Sequence, residues 1–157
     1  MSMINDGKLM RTDLTKNANG GTEMMAKRLI DNANPELLNQ MQIHISRLSS
    51  AAPIDKNKGQ ICWLHDLSED PAVHSLRSEA DRYDYFVFVS YWQRDRFIRT
   101  YNLPYSKCIV IQNAIETEYE PREKSTDVVN LIYHTTPHRG LELVVPIFNK
   151  LCELHDN

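Results

Sequence analysis

The sequence predicts an α/β fold in which a parallel sheet is covered by helices on both faces. Three observations carry that expectation. Short apolar runs rich in Ile, Val and aromatics recur at residues 42–45, 61–64, 85–89, 108–111 and 128–133. Helical patterns with recognisable start signals lie between them. The central run, Tyr85-Phe86-Val87-Phe88-Val89, is nearly continuous rather than alternating, as in a strand buried on both sides. Strands alternating with helices imply parallel pairing through right-handed crossovers.

The elements follow in order. Gly20-Gly21 precedes a helical pattern over 22–32 that carries Met24, Met25, Ala26, Leu29 and Ile30; no clear strand stands immediately before the glycines. Asn34-Pro35-Glu36 and Asp70-Pro71 each set a capping residue before a proline at the first helical position. Ser90-Tyr91-Trp92-Gln93 has the spacing of a capping box, and the helix after it aligns Phe97, Ile98 and Tyr101. Residues 116–127 are charged, contain Pro121 and read as a linker. The expected division is a domain over 1–120, a linker over 121–127, and a strand and helix over 128–157. The last helix, over about 140–154, repeats Leu141, Val144, Val145, Phe148 and Leu151. One strand and one helix cannot bury their own apolar faces. The second unit is therefore expected to be an incomplete domain, or to pack on the first sheet or on another copy in a homo-oligomer.

Composition narrows the function classes. With 157 residues, 41% hydrophobic and 25% charged, the chain is an ordinary globular one. A formal net charge of -3 lacks the basic footprint of a nucleic-acid binder. No apolar run approaches a membrane span, and the first residues lack the apolar core of a secretory leader, so a cytoplasmic location is the expectation. Three widely spaced cysteines, Cys62, Cys108 and Cys152, form neither a disulfide framework nor a Cys-x-x-Cys site. They read as free thiols.

Ligands of parallel sheets bind beyond the carboxyl ends of the strands, so the residues after each run are the site candidates. These are His65-Asp66, Ser90, Gln112-Asn113, and His134 with the stretch to Gly140. Gly20-Gly21-Thr22 at a helix start lets a backbone approach a ligand where free amides and a partial positive charge are available; a tight turn is the plainer reading. His65-Asp66 serves either as a proton-transfer pair or sugar contact, or as a loop held by its own hydrogen bonds. Arg139 either holds a phosphate at a helix start or is simply solvated. His134 and His138 across a proline-containing turn are a weak metal signal, and no metal is expected. No nucleophile elbow, zincin pattern or supported Ser-His-acid set is present. Tyr91, Trp92 and Tyr101 read as packing rather than as a stacking platform.

In order, these segments resemble the retaining GT-B nucleotide-sugar glycosyltransferases of the group 1, or family 4-like, kind. The resemblance runs from about residue 17 to 148. Asn19-Gly20-Gly21-Thr22-Glu23 is similar to that family's glycine-rich loop, and Trp63-Leu64-His65-Asp66 to its strand-end histidine motif. Phe88-Val89-Ser90-Tyr91-Trp92-Gln93 resembles its strand-to-helix step. Ile109 to Glu116 resembles the segment that closes its first domain, with Ala114 in place of glycine and Glu116 in place of aspartate. Leu131 to Leu143 resembles the opening of its donor domain.

The resemblance implies two Rossmann-like domains, of which the second is here truncated. The enzyme would move a hexosyl group from a nucleotide sugar to a glycan or small-molecule acceptor, without a metal. Gly20, Gly21, Thr22, Arg139 and Gly140 would lie at the donor diphosphate, with Arg139 stabilising the leaving group. His65 would contact the transferred sugar or the acceptor. Asp66, Ser90, Asn113 and His134 would line the cleft. The family's donor-domain glutamates have no counterpart by residue 157, so the chain alone is expected to have little or no transferase activity. The alternatives are a non-catalytic Rossmann-like binding or self-associating module and, less well matched, an oxidoreductase fragment, which would need a Gly-x-Gly-x-x-Gly fingerprint that is missing.

Overall fold

The computed structural model describes residues 9–10, 20–115, 120, 123, 128, 131–135 and 137–154. They fall into two compact units, 1–117 and 118–157. The expected linker at 121–127 lies outside the described residues apart from Glu123.

In the first unit five strands form one parallel sheet: β1 (Leu9–Met10), β2 (Met41–Ile45), β3 (Gly59–Leu64), β4 (Tyr85–Phe88) and β5 (Cys108–Val110). Their order across the sheet follows their order in the chain. Helices α1 (Gly21–Asn32) and α2 (Pro35–Asn39) connect β1 to β2. A helix-free loop connects β2 to β3. Helix α3 (Leu76–Glu79), between short 3-10 turns, leads to β4, and α4 (Tyr91–Tyr101) leads to β5. Helix starts obey local chemistry. The Asn34 side chain accepts from Glu36 N, and the Asp70 side chain from Ala72 N, each ahead of its proline.

The register separates the strand residues into two faces. His44 lies beside Cys62 and Cys62 beside Phe86, while Ile43 lies beside Ile61 and Ile45 beside Trp63. On the first of these faces Cys62, Leu64, Phe86 and Phe88 pack against Val73, Leu76, Tyr83, Phe97, Tyr101 and Leu103. This is the main core, closed by α3 and α4. On the other face Ile43 and Ile45 pack against Ala26 of α1 and Leu38 of α2, with Ile61 and Trp63 half-buried beside them. Helices therefore lie on both faces, though the α1–α2 cover does not extend over Tyr85, which is exposed at the start of β4.

Two features depart from the sequence expectation. The crossovers through α1–α2 and through α3 and α4 advance across the sheet in the same direction on opposite faces, so they are of opposite hand. The strand order also never reverses, so the five strands contain no switch point of the doubly wound kind.

The second unit contains the 3-10 turn Pro137–Arg139 and α5 (Leu141–Leu154), which carries Pro146 inside it. Among the described residues, the 128–133 run forms no strand, and Ile132 is 87% exposed. A strand needs a neighbour to satisfy its backbone, and no other strand is described in this unit.

Candidate functional site

Because the strands are parallel, β2, β3, β4 and β5 all deliver their carboxyl ends to one edge. That edge carries Ser46, His65, Asp66, Ser90 and Asn113. The register sets His65 on the same side as Ile61 and Trp63, and its ring lies against the Trp63 indole, tilted by 56° with 4.6 Å between centroids. Its backbone N–H donates to Ser46 Oγ at 3.1 Å. The Trp63 indole Nε1 is buried with no hydrogen-bond partner among the described residues.

Loop 65–70 is held from the opposite side by α4. Gln93 is buried; its Nε2 donates to the Asp66 carbonyl at 2.8 Å, and its Oε1 accepts from Val89 N at 2.9 Å. Tyr101 donates its hydroxyl to the Ser68 carbonyl at 2.6 Å. Arg96 pairs with Glu69. Asp66 is thus fixed through its backbone and leaves a half-buried carboxyl group at the edge. Ser90 Oγ accepts from Gln93 N at 3.1 Å, the first half of the capping box that the sequence spacing predicts, while the Gln93 side chain returns to Val89 N, one residue earlier than the box requires.

The amino end of α1 carries the glycine pair. Gly20 is the capping residue in extended conformation, with no side-chain cap. Glu23 sits at the third helical position, and its carboxylate folds back so closely that a Cβ on Gly20 would collide with it. The amides and dipole of a helix start favour such a carboxylate. The family resemblance implies a donor diphosphate here; in the structure the Glu23 carboxylate stands beside Gly20. Gly21 is different: a Cβ there meets nothing within 4 Å, and the residue is exposed. Thr22 is half-buried. Arg28 of α1 bonds the Ala114 carbonyl and so ties the segment around exposed Asn113 to this helix.

His134, Arg139 and Gly140 belong to the second unit and are described within it alone. His134 and Arg139 are exposed. Gly140 has φ +107°, a left-handed backbone that only glycine adopts without strain, and it opens α5. That conformation is a structural reason for the Arg-Gly step independent of any phosphate. The His138 side chain lies outside the described residues.

No group of three His, Cys, Asp or Glu residues among the described residues is arranged to hold a metal. Burial lowers the His44 pKa from its ordinary value; a bond to Gln60 works against that, and nearby Arg82 adds to it. Burial pushes the Cys62 thiol and the Tyr83 phenol up. A shallow groove at the opposite edge, lined by Gln40, Gly59, Asp84 and Lys107 among others, collects strand beginnings rather than ends.

Sequence reasoning found His65, Asp66 and the Ser90–Gln93 cap. It missed Ser46, the bridge from Gln93 to Asp66 and the return of Glu23 over Gly20. Ser-x-x-Gln signals a cap, but which distant carbonyl the glutamine also reaches depends on the sheet. No helix among the described residues is long and apolar enough to cross a membrane. No family model matches the chain, nor does any curated protein or solved structure.

Proposed function

We propose that the chain is the acceptor-side part of a nucleotide-sugar-dependent glycosyltransferase, with the β2–β4 carboxyl edge and the start of α1 as its ligand-facing surface. In this reading His65, braced on Trp63, contacts the sugar or acceptor, and Asp66 lies beside it. Gly20, Gly21 and Thr22 face the donor diphosphate; Arg139 and Gly140 of the second unit are the proposed diphosphate contacts there. No metal is required in this reading, since cationic side chains and helix starts can meet the leaving-group charge.

One observation carries the reading. Gly21 is the first helical residue of α1, where the space beside it is open and its backbone is not left-handed. Packing gives no reason for a glycine there, whereas close approach of a ligand to the backbone does. The position of Glu23 favours the other reading, a Rossmann-like binding module without diphosphate chemistry, because a second anion at the same helix start meets its charge.

An amide NMR titration of the chain with UDP-glucose and GDP-mannose separates the two. The transferase reading expects shifts at Gly20, Gly21, His65 and Asp66, and Gly21→Ala should weaken binding while leaving stability equal or higher. No shifts at millimolar ligand, or shifts indifferent to Gly21→Ala and His65→Ala, would sink it.

A further inference from the structure

Ser46 is fully buried at the end of β2 and has φ +53°, a left-handed backbone. It is one of two described non-glycine residues with positive φ; the other, Asn102, closes α4, where asparagine is commonly tolerated. A serine in this region carries a conformational cost, so its position asks for a cause.

The hydrogen bonds supply one. In a parallel ladder a residue donates its N–H to one neighbour on the next strand, and its C=O accepts from the residue two further along. Ser46 obeys the first half: its N–H donates to the Trp63 carbonyl at 2.8 Å. The second half would give the His65 N–H to the Ser46 carbonyl. Instead His65 N–H donates to Ser46 Oγ at 3.1 Å. A side-chain hydroxyl thus stands in for the carbonyl at the last rung. The β2 backbone turns away into its loop, while β3 is held in register for one residue more. That residue is His65, whose ring lies tilted against Trp63.

We infer that Ser46 is a positioning residue for His65, its hydroxyl fixing where the imidazole stands at the carboxyl edge of the sheet. The inference rests on the proposed ligand-facing role of His65 for its functional consequence. The positioning itself is measurable without any ligand.

The test uses Ser46→Gly and Ser46→Asn in the full chain. Glycine adopts the left-handed backbone freely and lacks the acceptor; asparagine tolerates that backbone and offers a side-chain carbonyl. In Ser46→Gly the His65 amide should exchange with solvent roughly fivefold to tenfold faster than global unfolding accounts for, the effect of losing one net hydrogen bond. The His65 ring resonances should also shift. Ser46→Asn should recover part of both. UDP-glucose binding, where wild type shows it, should weaken severalfold in Ser46→Gly. If exchange and ring resonances of His65 match wild type in the glycine variant, the inference is overturned. If Ser46→Gly does not fold, unchanged His65 behaviour in Ser46→Ala overturns it equally. If His65 responds as expected but wild type binds no sugar nucleotide, the positioning stands and the transferase reading falls.

Discussion

The two faces of the sheet share the same strands and are finished differently. On the α3–α4 face, Cys62, Leu64, Phe86 and Phe88 are completely buried under Tyr83, Phe97 and their neighbours. On the α1–α2 face the cover stops near β3. Val87 is buried there, but Tyr85 and Ile109 on the same face are 45% and 42% exposed, and Ile111 beyond them is 57% exposed. The closed face supplies the helix that fixes loop 65–70 through Gln93 and Tyr101. The partly open face carries the His65 ring and the start of α1. The contrast teaches a division of work: one side of the sheet holds the loop still, and the other is left open over β4 and β5.

The largest test of that contrast is Phe97→Ala. Removing a fully buried ring that packs on Phe88 and Tyr101 should cost about 3–5 kcal/mol in urea unfolding. A loss near 1 kcal/mol would mean the α4 face is not the main core. Next comes Gln93→Ala, which leaves Val89 N–H and the Asp66 carbonyl without these partners. It should cost about 2 kcal/mol and speed amide exchange in 65–70 more than in β3. Uniform acceleration would show that α4 stabilises the fold without specifically holding the loop.

A smaller effect comes from pH. Burial lowers the pKa of His44 in the folded state, so the unfolded chain binds the proton more readily. The stability associated with neutral His44 is full above its unfolded pKa of about 6.5 and is lost as pH falls below that towards the lowered folded value. His44→Gln should therefore flatten the decline in stability between pH 7 and 5. Parallel declines in both proteins would remove His44 from the account. The smallest effect is expected from Ile111→Thr, within about 0.5 kcal/mol. A cost above 1 kcal/mol would show that the open face is covered in solution.

Much of this was legible in the sequence. The four apolar runs from 42 to 111 are strands within a residue or two of their expected bounds, because β-branched and aromatic clustering reports burial directly. The run at 128–133 reads the same way yet forms no strand among its described residues, since pairing depends on a neighbour that a local pattern does not contain. The two-residue β1 carries too little pattern to be seen. At the site, His65-Asp66 was visible from its place after a strand. Ser46 was not: serine gives no sign of a left-handed backbone, and its partner lies nineteen residues away. Glu23 was visible as a residue, but its return over Gly20 is a property of the helix end.

The loop between β2 and β3 has one further consequence. Its carbonyls are met by side chains from outside it. Gln42 reaches Pro53, Gln60 reaches Asp55 and Lys58, and Arg82 spans Ser50 and Ala52. Its shape is therefore stored in the flanking strands and in the turn before β4 as well as in its own turns. Segment 46–58 is consequently a poor module to transplant: moved to another scaffold it would arrive without the three side chains that define it. Within this chain it is equally a poor place to insert foreign sequence, although it has the length and surface position that ordinarily invite such insertion.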